Sequence, residues 1–300
     1  MDQNFRPGDS NRITREYLDS LLFEWRHFDA VLPDTRFKLY GHSFSTPVMT
    51  AALSHLNNCH EDGMVELARG AKAANAVMWA GCGEDDELER ICATGAKTIK
   101  ILKPEADNAS IFRRIAHAEE HGCIAIGMDL DHGFNGRGEY DTVNNIPMTG
   151  KSMDEVKQFV KATKLPFIIK GVLSVVDSLK CIEAGIQGIV VSHHHGLIDY
   201  AVPPLMVLPK IVEVVNGKMP IFVDCEIQSG YDVFKSIALG AVAASAGRSL
   251  MGPLTENGAE GVKEKIVNMT AELAGAMAKT SSPDITKIDP SVIYSKVISN

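Results

Sequence analysis

The chain has 300 residues, 45% of them hydrophobic and 23% charged, with 30 Lys+Arg against 38 Asp+Glu and a formal net charge of −8. That is enough apolar material for one α/β barrel or two modest domains, and an acidic balance without a basic tract argues against an electrostatic grip on nucleic acid or on an anionic membrane. The six cysteines stand singly, with no CxxC pair, as the reduced thiols of a cytoplasmic protein would.

In chain order, the N-terminus MDQNFRPGDSNRITREY is polar and charged, so neither a signal peptide nor a membrane span is expected. Residues 1–30 read as a lead-in segment, with a short helix over Arg15–Phe23 capped by Thr14. Eight strand-sized runs follow: Pro47–Ala52, Ala76–Ala80, Thr98–Leu102, Cys123–Met128, Pro166–Lys170, Gly188–Val191, Pro220–Val223 and Val242–Ser245. Between them, segments such as Glu61–Ala74, Asn108–Glu120, Met153–Ala162, Val175–Ala184, Pro204–Val215 and Gly230–Leu239 carry apolar residues at spacings of three and four.

Strand followed by helix, eight times over, predicts a (β/α)8 TIM barrel spanning 1–300 as a single domain, with an open doubly wound sheet as the alternative. The near-continuous apolar runs FII, GIVV and PIFV suit parallel strands covered by helices. The glycine-rich stretch Asp131–Gly150 is longer than the usual connection, as loops over ligands tend to be. The chain closes with a helix near Gly261–Ala278 and a polar tail over 280–300.

In such a barrel the chemistry gathers at the C-terminal ends of the strands. Lys170 ends the run PFIIK, where burial demands an anion or carbonyl partner. It reads as a Schiff-base amine, as a fixed cation beside an electron-rich ring, or as an ammonium that reaches solvent or an internal carboxylate. His193, His194 and His195 follow GIVV, and three consecutive side chains cannot converge on one centre, so one is expected to act and the others to be neighbours. Asp129 and Asp131 alternate in MDLDHG, with Asp131 the favoured orienter of a histidine. Gly247 and Arg248 suit a phosphate cradled after the last strands, or equally a turn glycine beside a surface arginine. Trp79, Cys82 and Met128 read as packing. No HExxH or spaced His/Cys set is present, and no metal is expected.

These residues carry a resemblance. The strings IIKG, VVSHHHGL, VDCEIQSGYDVFKSIALGA and AGRS are similar to the C-terminal half of the FMN-dependent 2-hydroxy acid dehydrogenase and oxidase family, which includes glycolate and lactate oxidases. Weaker similarity runs through STPVMTAAL, MWAGCGEDDELERI and MDLD. The resemblance implies an FMN cofactor, a small-molecule substrate and a homo-oligomer, a tetramer in relatives. It casts His194 as the catalytic base, or His195 if one histidine is an insertion, with Asp131 as its partner and Lys170 beside the flavin. Further implied cofactor contacts are Thr50, Ala51, Ala52, Gly81, Lys100, Asp129, Ser192, Asp224, Gln228, Gly247 and Arg248.

The sequence also departs from the family. Leu197 stands for the arginine that holds a substrate carboxylate, and Gly138 for a second, with Arg137 its neighbour. Leu102 replaces a substrate-side tyrosine, Lys100 a glutamine, Gly81 a serine, Asp129 a threonine and Gln228 a phosphate-loop arginine. The substrate side is thus expected to comprise Leu102, Arg137, His195 and Leu197, and to favour a compound less acidic or more apolar than glycolate or lactate. The alternatives are a flavin-dependent isomerase of the type 2 isopentenyl diphosphate kind and a non-catalytic flavin- or phosphate-binding barrel.

Overall fold

The computed structural model describes residues 6–295. Eight strands line the core in chain order: β1 (Val48–Thr50), β2 (Met78–Ala80), β3 (Thr98–Leu102), β4 (Ala125–Asp129), β5 (Phe167–Val172), β6 (Ile189–Val191), β7 (Ile221–Val223) and β8 (Ala243–Ala246). Each pairs in parallel with its sequence neighbour from β2 through to β8, and β8 pairs with β1. The seam between β1 and β2 closes irregularly. Thr50 N bonds Val77 O at 3.2 Å, Gly81 N bonds Leu53 O at 2.9 Å, and Trp79 N donates to Thr50 Oγ1 at 2.8 Å. The result is the (β/α)8 barrel that the strand–helix repeat predicts, and the open-sheet alternative falls.

Helices clad the barrel: α1 (Ser10–Ser20), α2 (Gly63–Ala73), α3 (Asp85–Ala93), α4 (Asn108–Glu120), α5 (Met153–Lys161), α6 (Val175–Glu183), α7 (Pro204–Val215), α8 (Gly230–Ala238) and α9 (Arg248–Lys279). Their apolar faces meet strands buried on both sides. Met49, Trp79, Phe167 and Phe222 are essentially inaccessible, and Trp79 packs edge-on against Phe222 at 5.3 Å between centroids. Each such side chain contributes about 1.5–3 kcal/mol by leaving water. Among the described residues no helix is long and apolar enough to cross a membrane.

Two local expectations are corrected. The lead-in helix begins at Ser10, not Arg15, because Asp9 accepts from Asn11 N and Arg12 N, a stronger cap than Thr14 offers. Thr14 is buried instead, 2.7 Å from His193 Nε2. The last helix starts at Arg248 and is broken at Asn257 and Gly258, so Gly261–Ala278 is only its second segment. The stretch after β4 also carries structure, a 3-10 turn over Leu130–Gly133 and a hairpin of Thr142–Val143 with Ile146–Pro147.

Candidate active site

At the C-terminal end of the barrel, β4 and β5 deliver opposite charges to one point. Asp129 lies 2.8 Å from Lys103 Nζ and 3.0 Å from Lys170 Nζ, all three side chains nearly inaccessible. Burial alone would raise the Asp129 carboxyl, but Lys170, His194 and Lys103 hold it below the usual range. Burial likewise opposes the charge on Lys170, and Asp129, Asp224 and Asp131 outweigh it, keeping the ammonium protonated. Lys170 is therefore a fixed cation and not the neutral amine that a Schiff base requires.

The strand register shifts between Lys170 and Val172, so Gly171 bulges out at φ +89°. That bulge makes room for Asp131: a Cβ on Gly171 would lie 2.4 Å from Asp131 Cγ. Asp131 in turn sits 3.0 Å from His194 Nδ1, and Lys170 Nζ lies 3.1 Å from the same atom. His194 Nε2 faces His132 Nε2 at 3.2 Å, and His132 Nδ1 meets Asp141 at 2.7 Å. Burial, with Lys103 and His194 nearby, lowers the His132 pKa.

The three consecutive histidines diverge. His193 turns inward to Thr14 on α1, while His195 Nδ1 meets Asn11 Oδ1 at 2.8 Å. His194 alone joins the carboxylate cluster, its backbone N–H donating to Ser192 Oγ at 3.0 Å. The ligand atoms of Asp131, His132 and His194 lie within 4.8 Å of one another.

A cavity of about 680 Å3 runs from Lys170 and His194 past Asp224 to Gly247 and Arg248, with Ala51, Ala52, His195 and Gln228 on its walls. At its far end the loop after β7 turns through two consecutive left-handed residues, Cys225 (φ +69°) and Glu226 (φ +58°). Glu226 pairs with Arg248, and Gln228 Nε2 donates to its other carboxylate oxygen at 2.8 Å. Asp224 Oδ2 lies 3.7 Å from Lys170 Nζ.

The other sequence-predicted residues surround this cavity. Lys100 is buried, and its Nζ donates to Gly81 O at 2.6 Å, so its charge is spent on a carbonyl within the barrel wall. Thr50 Oγ1 is taken up by the β1–β2 seam. Leu102 is buried at 2% exposure, Leu197 is half-buried, and Arg137 is exposed on the turn Asn135–Glu139. Trp79 and Met128 are buried packing, with Cys82 half-buried beside Asn144. Sequence reasoning missed His132, Asp141, Lys103 and Glu226. The first and third adjoin residues already singled out, and Glu226 stands inside VDCEIQSG, so proximity in sequence was the available signal. Asp141 had none.

Comparison with known proteins adds a second line. A family model described as FMN-dependent dehydrogenase matches residues 3–154 and 148–295. A peroxisomal (S)-2-hydroxyacid oxidase of Arabidopsis thaliana is 30% identical over 291 residues, 85% of this chain and 79% of that protein. A 4-hydroxymandelate oxidase of Amycolatopsis orientalis is 29% identical over 81% of this chain and 78% of its own length. Among solved structures, a mandelate oxidase variant with (S)-mandelic acid superposes with a TM-score of 0.88 at 27% identity, covering 98% of this chain and 91% of that one.

Proposed function

The chain belongs to the FMN-dependent dehydrogenase family and is an FMN-dependent oxidoreductase related to the 2-hydroxy acid oxidases; we propose that its substrate is a hydroxy compound less acidic, or larger and more apolar, than lactate. FMN is the cofactor, and the cavity can be tested against it. The volume of about 680 Å3 lies in the range of cofactor sites. The protonated Lys170 at its inner end suits an electron-rich ring edge, and Gly247 with Arg248 opens α9 where a phosphate would be met. The ring end fits; the phosphate end fits except for Glu226.

The redox chemistry is the cofactor's, hydride exchange with a substrate carbon. This chain's residues manage the proton. Asp131 on Nδ1 fixes the ring of His194, and Nε2 is left to take a proton from a substrate hydroxyl or to return one. Lys170 and Lys103 balance Asp129 and set the local charge.

One observation carries the substrate reading: the cations beside His194 are already engaged. Lys170 and Lys103 both pair with Asp129, Lys100 bonds Gly81 O, Leu197 and Gly138 stand where the resemblance calls for arginines, and Arg137 is exposed. A substrate carboxylate would face Asp129 and Asp131 without the charge-assisted contacts, worth roughly 1.5–3 kcal/mol each, that an arginine supplies. The test is anaerobic bleaching of the flavin by a 2-hydroxy acid and by its amide or methyl ester. We expect the neutral compound to reduce the enzyme faster, by about tenfold or more; faster reduction by the acid overturns the proposal.

A further inference from the structure

The far end of the cofactor cavity already holds an anion. Glu226 comes from the loop after β7 and Arg248 from the start of α9 after β8, the two places where a barrel of this kind gathers a phosphate. Both carboxylate oxygens of Glu226 are occupied, one by the Arg248 guanidinium and one by Gln228 Nε2. The side chain is 8% exposed, whereas that of Arg248 is 52% exposed. Its backbone is held as well, for Arg15 Nη1 donates to Glu226 O at 2.8 Å. Glu226 keeps this place at φ +58°, directly after Cys225 at φ +69°, a conformation that favours glycine. A glycine there would leave the guanidinium open to the cavity.

We infer that Glu226 is a built-in competitor for the cofactor phosphate, a specificity-determining residue that weakens FMN relative to a flavin that carries no phosphate. The inference rests on the flavin reading of this cavity. A phosphate of charge about −1.5 to −2 must either displace the carboxylate from Arg248 or settle beside it, toward Lys265, whose Nζ donates to Gln228 O at 3.0 Å, and repulsion from Glu226 disfavours both. Lys170 and the inner end of the cavity are untouched by this competition, so contacts to the flavin ring are common to both ligands.

The experiment titrates FMN and riboflavin separately into the full chain freed of flavin, following quenching of flavin fluorescence, for the native protein and for Glu226→Gln and Glu226→Gly. Gln keeps the shape of the side chain without its charge, and Gly removes the side chain and suits the backbone; circular dichroism establishes that each variant is folded. Both variants should bind FMN at least about tenfold more tightly than the native chain while riboflavin changes by less than about threefold. Unchanged or weaker FMN binding in both folded variants overturns the inference while leaving the flavin reading intact. An equal gain for both flavins overturns it too, since the effect would then not act on the phosphate. If neither flavin binds any of the three proteins, the flavin reading itself falls, and the inference with it.

Discussion

His132 and His194 turn their Nε2 atoms toward each other at 3.2 Å, the rings nearly perpendicular at 86°. Each ring has a carboxylate on its other nitrogen, Asp141 at 2.7 Å and Asp131 at 3.0 Å. Asp131 and Lys170 both approach Nδ1 of His194 and Asp141 approaches Nδ1 of His132, which leaves the two Nε2 atoms in contact with each other. His132 is thus placed to receive the proton that His194 collects.

Removal of either ring tests that placement. His194→Gln is expected to lower kcat/KM by about 10²–10⁴-fold, the scale of general base catalysis, with flavin binding retained. His132→Phe leaves the base but removes the ring facing its Nε2, so kcat should fall, though by less than in His194→Gln. Steady-state rates check both, and an unchanged kcat in His132→Phe dismisses His132 as the receiver of the proton.

Gly171 offers a separate handle on the same site. Its φ of +89° and the 2.4 Å approach of a would-be Cβ to Asp131 Cγ mean that Gly171→Ala meets strain and a clash together. A loss of about 1–3 kcal/mol in stability is expected, along with a lowered kcat as Asp131 is pushed from His194. Combined with Asp131→Gly, the same alanine should cost measurably less stability, because the clash is gone. Additive losses across the double-mutant cycle contradict the contact.

Much of the fold was legible because its signals are local. Apolar runs such as FII and PIFV in β5 and β7 and the three-and-four spacing of the helices need no partner to be read. Thr98–Leu102, Asn108–Glu120 and Pro204–Val215 fall as the pattern places them. Lys170 was conspicuous because a charge ends a buried run. What escaped reading depends on residues distant in sequence. Asp141 reaches His132 only because the stretch after β4 doubles back, and Glu226 meets Arg248 across two loops. Asp9 took the cap from Thr14 because Thr14 had a tertiary partner in His193.

Stability should depend on pH through buried histidines. Burial, the largest influence on each, lowers the pKa of His132 and of His193 below the ordinary value near 6.5. Between that value and the lower folded one, the unfolded chain binds more protons than the native protein, so acid favours unfolding. Their contribution is complete above about pH 6.5 and is lost as pH falls through the folded pKa, at no more than about 1.4 kcal/mol per pH unit for each histidine. The melting temperature measured from pH 7.5 to 5 should fall, and His193→Gln should flatten the decline. A slope unchanged in that variant removes His193 from the account.

The pair Arg15–Asp232 ties the lead-in helix to the cofactor end of the barrel. Arg15 on α1 reaches both oxygens of Asp232, at 2.8 and 3.1 Å, and Asp232 is itself the third residue of α8, in a capping box with Ser229. Burial would raise the Asp232 carboxyl, yet Arg15 leads the contacts that hold it below the usual range. Asp232→Ala therefore removes the N3 half of that capping box and leaves Asp19, at 2.8 Å, as the carboxylate on Arg15, and a loss of about 1–3 kcal/mol is expected. Arg15→Met, which keeps the packing stem, leaves Asp232 its bonds from Gln228 N, Ser229 N and Ser229 Oγ and spares the capping box, so it should cost less. Because Arg15 also donates to Glu226 O, both variants should loosen the loop after β7. Urea unfolding measures the stability cost, and amide hydrogen exchange across 224–229 reads the loosening. Exchange in that loop no faster than in the native chain would show that α1 anchors α8 alone and plays no part in shaping the cofactor end.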